Sequence, residues 1–334
     1  MLSIDVGSKK VCVVQGSSRN GNVTVSSCAE IEYENEVVTN GVISDRPALS
    51  FIINEIIKTN RMKSKAAVVT INSGDIVARE FTLPNIKSSN LKLLVVNEMS
   101  RILGEDSGYI IDFVSSPSTE DNMLSIKAYA VRKEIVESYY SLLKELKLKP
   151  YAFDLHANAM SKLLEGTTIN GKSYNDDNVI VADIGYSKIA FHGFSAGVCR
   201  FNRTEVSLVQ EFVREIGSIY RIDVTQEQLA KLDFSPDYEF DNIVISDTCK
   251  YFIYRLSEEI QKYIQYILLN SEIKDVAQVI ICGGIASIKG IAEALSISLK
   301  IPVEVLSSVG KATVPEGCSL SKICNAAGAL IRLN

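Results

Sequence analysis

Two stretches far apart in the chain say the same thing, and no other feature limits the fold so tightly. Ile4-Asp5-Val6-Gly7-Ser8-Lys9-Lys10-Val11 and Ala182-Asp183-Ile184-Gly185-Tyr186-Ser187-Lys188-Ile189 both read Asp, β-branched residue, Gly, two free positions, Lys, β-branched residue. Apolar residues precede each copy, and Val11-Cys12-Val13-Val14 and Ile189-Ala190-Phe191 follow. Each is therefore predicted to be strand, tight turn, strand. A single Asp-x-Gly is a common turn; a matched pair with the same Lys offset points to a duplicated architecture.

Such a turn has a chemical use. Gly7 and Gly185 let the backbone approach a ligand and turn N–H groups outward, a concavity suited to phosphate. A carboxylate beside phosphate repels it, so Asp5 and Asp183 make better sense holding a hydrated Mg²⁺ between them and the anion. Lys9, Lys10 and Lys188 read equally as phosphate contacts or solvated hairpin charges. A third element, the strand Val279-Ile280-Ile281-Cys282 running through Gly283-Gly284-Ile285-Ala286 into a helix, offers bare backbone to a planar or phosphorylated group.

Other classes are disfavoured. A net charge of −5 in 334 residues supplies no excess of Lys and Arg for a nucleic-acid backbone. No apolar run is long enough to span a bilayer, and Asp5 interrupts any secretory leader, so a cytosolic location is expected. The seven cysteines are scattered without a C-x-x-C pair, which predicts buried free thiols and no disulfide framework or zinc site. Two histidines, His156 and His192, make a His-rich metal site or a serine-type triad improbable.

Taken in order, a three-stranded β opening precedes a helix capped by Asp45, with Pro47 in its first turn. A buried strand follows at residues 66–71. Residues 79–149 carry their own β-α-β-β-α order and read as an inserted subdomain. Asp154 ends a short strand where the two halves should meet. It reads as a helix N-cap, or as the group that orients water or Mg²⁺ near a terminal phosphate. Gly166 to Asn178 is polar and reads as the linker to the second half. Gln228 and Lys231 share one helix face and read as ribose or base contacts, or as an exposed polar stripe. Thr248 to Asn270 is the longest helical pattern, with an apolar face of core type.

In that order, Asp5-Val6-Gly7, Asp183-Ile184-Gly185 and Gly283-Gly284 resemble the phosphate-1, phosphate-2 and adenosine motifs of the actin, Hsp70 and sugar kinase superfamily. The inserted section is similar to the subdomain peculiar to FtsA and to the PilM family of type IV pilus assembly proteins. Phe81-Thr82-Leu83-Pro84, Leu146 to Asp154, Ser257-Glu258-Glu259-Ile260 and Gly290 to Leu295 resemble PilM more closely, and the chain shows no FtsA-type amphipathic tail after its last helix.

The resemblance implies an α/β, actin-like (ribonuclease H-like) duplicated fold. Subdomain 1A would span 1–78 and 150–176, the inserted subdomain 1C 79–149, subdomain 2A 177–222 and 276–334, and subdomain 2B 223–275. ATP with Mg²⁺ would sit in the interdomain cleft. Asp5 and Asp183 would serve the metal; Gly7, Ser8, Lys9, Gly185, Tyr186 and Ser187 the phosphates; Gly283, Gly284 and Ala286 the adenosine; and Gln228 and Lys231 the ribose and base. Gln228 departs from the family's usual Glu, and Asn202 to Ser207 from its usual glycine pair.

The resemblance further implies an ATP-binding protein with weak or no ATPase activity. A groove between 1A and 1C would receive the cytoplasmic N-terminal tail of PilN. A pilus assembly motor ATPase or inner-membrane platform protein would be a further contact, at the inner face of the cell membrane, without nucleic acid and without direct insertion. Self-association stays open. The alternatives are an FtsA-like filament-forming protein and a small-molecule kinase of the same superfamily, the latter lacking a second carboxylate motif in the first half.

Overall fold

A computed structural model describes residues 1–33, 36–104, 108–118, 120–270 and 275–332, without the side chains of Gln226 and Asn270. The chain runs β1 (Leu2–Val6), β2 (Lys10–Arg19), β3 (Asn22–Glu32), β4 (Val38–Thr39), β5 (Val42–Ile43), α1 (Arg46–Thr59) and β6 (Ala66–Ile71). The inserted section follows as β7 (Val77–Pro84), α2 (Ser88–Leu103), β8 (Tyr109–Pro117), β9 (Met123–Arg132) and α3 (Lys133–Glu145). The chain returns in β10 (Lys149–Leu155) and α4 (His156–Leu164). The second half holds β11 (Asn178–Ile184), β12 (Lys188–Ser195), β13 (Val198–Val206), α5 (Val209–Tyr220), the single turn α6 (Gln226–Leu229), and α7 (Ile243–Asn270). Last come β14 (Gln278–Cys282), α8 (Ile291–Leu299), β15 (Val303–Val305), β16 (Ala312–Thr313) and α9 (Leu320–Leu330).

The duplication is visible in the sheets. One has the order β10-β6-β1-β2-β3-β16 and the other β13-β12-β11-β14-β15. In each, an antiparallel hairpin leads to a third antiparallel strand on one side and a parallel strand on the other. Even the register agrees, since Asp5 lies opposite Cys12 and Asp183 opposite Ala190.

Strand alternation assigns the two faces of each sheet. Leu2, Ile4 and Val6 of β1, with Val11 and Val13 of β2, pack beneath α1 and α3. Cys12, Val14 and Val68 face the other way, into a layer that also holds Val179, Val181 and Ile280 of the second sheet. Between the two sheets lie α4 and α9, so both lobes share one central core. The second sheet's outer face packs α5, α7 and α8. The inserted sheet, β7-β9-β8, has a small core of its own against α2.

Several boundaries differ from the sequence reading. Residues 23–25 and 29–33 read as separate strands, but β3 is a single strand from Asn22 to Glu32, with a register shift opposite Gln15/Gly16. The supposed linker is tethered: Ile169 bridges to Val309, Ile169 and Tyr174 are buried, and the Tyr174 hydroxyl bonds Gln278. Tertiary contacts, invisible to composition, hold this polar stretch in place. The expectation of free thiols fails at one pair. Cys28 of β3 and Cys318, just before α9, form a disulfide, while Cys12, Cys199, Cys249, Cys282 and Cys324 are free and buried.

Candidate functional site

The two hairpins face each other across the central cleft. Each glycine N–H donates to the carbonyl of the lysine three residues on, Gly7 to Lys10 and Gly185 to Lys188, both at 2.9 Å. These glycine N–H groups therefore close the turns and are not offered to a ligand. The N–H groups of Ser8, Lys9, Tyr186 and Ser187 have no protein acceptor among the described residues, so those backbone positions face the cleft. Ser187 Oγ donates to Ser8 Oγ at 2.8 Å, the Lys9 ammonium lies 5.9 Å from the Tyr186 ring centre, and the tips touch.

Beneath the tips is a cavity of about 130 Å³ lined by Asp5, Gly7, Ser8, Lys9, Asp183, Gly185, Tyr186, Ser187, Gly283 and Gly284, among others. Thus three separated motifs converge. Gly283 has φ +92°, and a Cβ there would lie 2.7 Å from Asp183 Oδ1 and 2.5 Å from the Ile184 carbonyl oxygen; glycine is required for the chain to pass so close to the carboxylate.

Each aspartate is held by residues the motifs did not reveal. Thr70 Oγ1 donates to Asp5 Oδ1 at 2.7 Å, and Asn325 Nδ2 donates to Asp183 Oδ2 at 2.7 Å. His156, the first residue of α4, reaches between them, with Nε2 2.8 Å from Asp5 Oδ1 and Nδ1 4.0 Å from Asp183 Oδ2. Burial works against charge on both partners, but their attraction prevails: Asp5 is held below the usual carboxylate range and His156 above the usual imidazole value. The lysines divide. Lys10 is paired with Glu30 at 2.5 Å, and Lys188 donates to Asn40 Oδ1 at 3.0 Å, its pKa lowered by burial against the opposing pull of Asp75.

A second cavity of about 380 Å³ adjoins the first through Tyr186, Gly284 and Lys322 and continues to Glu227, Ala230 and Ser287. Gln228 and Lys231, singled out by sequence, do not line it. Gln228 Oε1 accepts from Thr225 N–H at 2.8 Å and Thr225 Oγ1 from Gln228 N–H, a capping box, while Lys231 pairs with Glu227 on the exposed face. Ala286 turns into the core. Asp154 is absent from the lining as well. Its Oδ2 accepts from Lys162 at 2.5 Å and from Arg332 at 3.0 Å, and its Oδ1 from Asn158 at 2.7 Å, so it ties α4 to the end of the chain.

Chemically the residues fit a divalent cation held through water. Among the described residues no three His, Cys, Asp or Glu side chains are arranged to ligate one directly, whereas Asp5 and Asp183 face a common space and buried Asn325 Oδ1 has no partner. Mg²⁺ in nucleotide sites typically takes one or two carboxylates, keeps its waters and uses ligand phosphate.

Beside this cleft runs a groove of about 360 Å³ between the first sheet, the inserted sheet and β13. Its walls carry Arg79, Lys127, Arg200 and Arg203 against one carboxylate, Glu80. Lys127 crosses it, donating to the Cys199 carbonyl at 2.8 Å. β7 and β13 are edge strands, so each presents an unpaired backbone edge.

Paired sheets of one topology, joined by facing Asp-x-Gly hairpins, define an actin-like fold. A chain of a PilM-PilN type IV pilus biogenesis complex superposes with a TM-score of 0.79 at 16% identity, covering 98% of this chain and 97% of that one. The ethanolamine utilization protein EutJ from Carboxydothermus hydrogenoformans superposes at 0.58 with 14% identity, covering 99% and 89%. No curated protein matches the sequence significantly. The family model of the type IV pilus assembly protein PilM matches residues 3–331, and the chain belongs to that family.

Proposed function

We propose that this protein is a nucleotide-responsive scaffold of type IV pilus assembly, binding Mg·ATP in the cleft and the cytoplasmic tail of a PilN-like protein in the neighbouring groove. The carrying observation is the convergence of two register-matched hairpins and Gly283-Gly284 around Asp5 and Asp183. Ser8, Lys9, Tyr186 and Ser187 would hold phosphates, Asp5 and Asp183 the hydrated cation, and the cavity reaching Glu227 and Ser287 the nucleoside. The tips are joined by the Ser187–Ser8 hydrogen bond, so a triphosphate seated between the hairpins would replace that contact. Nucleotide and lobe closure are thereby linked.

For the partner, the support is the solved PilM-PilN complex of a family member together with this groove's two open strand edges and basic walls. An extended tail adds to such an edge through its main chain. The test is calorimetric titration of a synthetic tail peptide into the full chain, with and without Mg·ATP. One-to-one binding that tightens about tenfold with nucleotide is expected, equivalent to about 1.4 kcal/mol of coupling. Asp183→Asn should weaken Mg·ATP at least tenfold. No peptide binding in either state would overturn the partner assignment, and unaltered nucleotide affinity in Asp183→Asn would overturn the metal role.

A further inference from the structure

Three residues, Asn72, His156 and Ala190, belong to the walls of both the phosphate cavity and the groove. Of these, His156 alone bonds the side chain of one of the two aspartates. We infer that His156 is the positioning residue through which occupancy of the cleft reshapes the groove. This rests on the reading above for the identity of the ligands, while the coupling itself is a property of the ring's position.

The ring is held unequally. Nε2 has a full hydrogen bond to Asp5, whereas Nδ1, 4.0 Å from Asp183, is buried with no partner among the described residues. A ligand that engages Asp5 and Asp183 competes directly with the imidazole for both carboxylates. A ring displaced from Asp5 has room on one side only, because the cleft cavity of about 130 Å³ is then filled and the groove of about 360 Å³ lies behind it.

The same groove is lined by a second imidazole with one unsatisfied nitrogen. His192 is buried, its Nδ1 2.6 Å from Asn202 Oδ1 and its Nε2 without a partner among the described residues. Buried polar atoms are rarely left unbonded, and each such exception calls for an explanation. Two buried, orphaned ring nitrogens on residues that line one groove are explained if the groove has a second arrangement in which they are engaged. Movement of His156 changes both the volume of the groove and its polar surface beside Asn202 and Arg203. The ligand thus favours one groove shape by differential contact, as coupling requires.

The experiment uses the fact that the chain has only two histidines. Ring NMR signals of the full protein are assigned by His156→Asn, whose shorter side chain does not reach Asp5. At saturating Mg²⁺ and a non-hydrolysable ATP analogue, both ring signals of the unaltered protein should shift. In His156→Asn the His192 signal should stay, and in His156→Gln, which keeps a donor at the distance of Nε2, at least half of its shift should return. In parallel, the tenfold effect of the analogue on tail-peptide affinity should fall below twofold in His156→Asn. A His192 shift that persists in His156→Asn overturns the inference, as does a silent His192 in the unaltered protein. Absence of peptide binding, with His192 still answering through His156, would remove the peptide and leave the coupling established.

Discussion

Asp154 and His156 stand two positions apart, yet one is bound into the scaffold and the other reaches the cleft. Asp154 pairs with β6 through Thr70 and is still part of β10, so its side chain follows strand alternation into the layer of α4 and α9. His156 is the first residue of α4, where that alternation ends. A sequence places an Asp at this junction but does not show which way the chain turns; hence Asp154 reads as a helix N-cap or as the group near the phosphate, and His156 carries no motif signal at all. The structure gives a direct check. Asp154 is 3% exposed and Lys162 7%, and removing one partner of a buried pair costs about 3–5 kcal/mol because a charge is left uncompensated. Urea denaturation of Asp154→Ala should show a loss of that size, while Mg·ATP affinity of the folded protein stays as it was.

The hairpins were legible because their chemistry is local: Asp, Gly and Lys at fixed offsets describe one turn, and its repetition describes two. Helix α7 was legible in its apolar face but begins at Ile243, five residues before Thr248, because Asn242 Oδ1 accepts from Val244 N–H at 2.9 Å and caps the start. Contacts between distant elements left a weaker trace. In α9, Gly328 lies so close to α4 that a Cβ would sit 2.1 Å from the Ala159 carbonyl oxygen. Gly328→Ala should raise helix propensity and nevertheless destabilise the protein, by about 3 kcal/mol at the upper end of typical overpacking costs. Thermal denaturation decides between these opposite signs. The small residues Ala326, Ala327, Gly328 and Ala329 hint at close helix packing in the sequence, but only the fold supplies the partner.

At the scale of the whole molecule, the disulfide joins residues 290 positions apart, from β3 to the approach of α9. Seven cysteines do not disclose such a pairing, since connectivity is a three-dimensional fact. Loop-closure entropy for a span of this length amounts to about 5–6 kcal/mol in the chain-entropy account. Oxidised protein should therefore melt well above protein treated with dithiothreitol, and Cys28→Ser should melt like the reduced form whether or not reductant is present. Equal melting temperatures in both states would show that the segment before α9 is held by its packing alone.

The placement of β16 and α9 also bears on how the molecule is made. β16 adds to the β3 edge of the first sheet, and α9 fills the layer beside α4, yet both come from the last part of the chain. A ribosome that has released the whole of the first lobe's early sequence has still not delivered the strand and helix that complete it. Chains usually fold domain by domain from the amino end during synthesis. Here the nascent first lobe lacks the helix that packs on β2, β6 and α4 until the second lobe has emerged as well. The two lobes are thus obliged to mature together, so that a molecule cut short during translation has no finished half to leave behind.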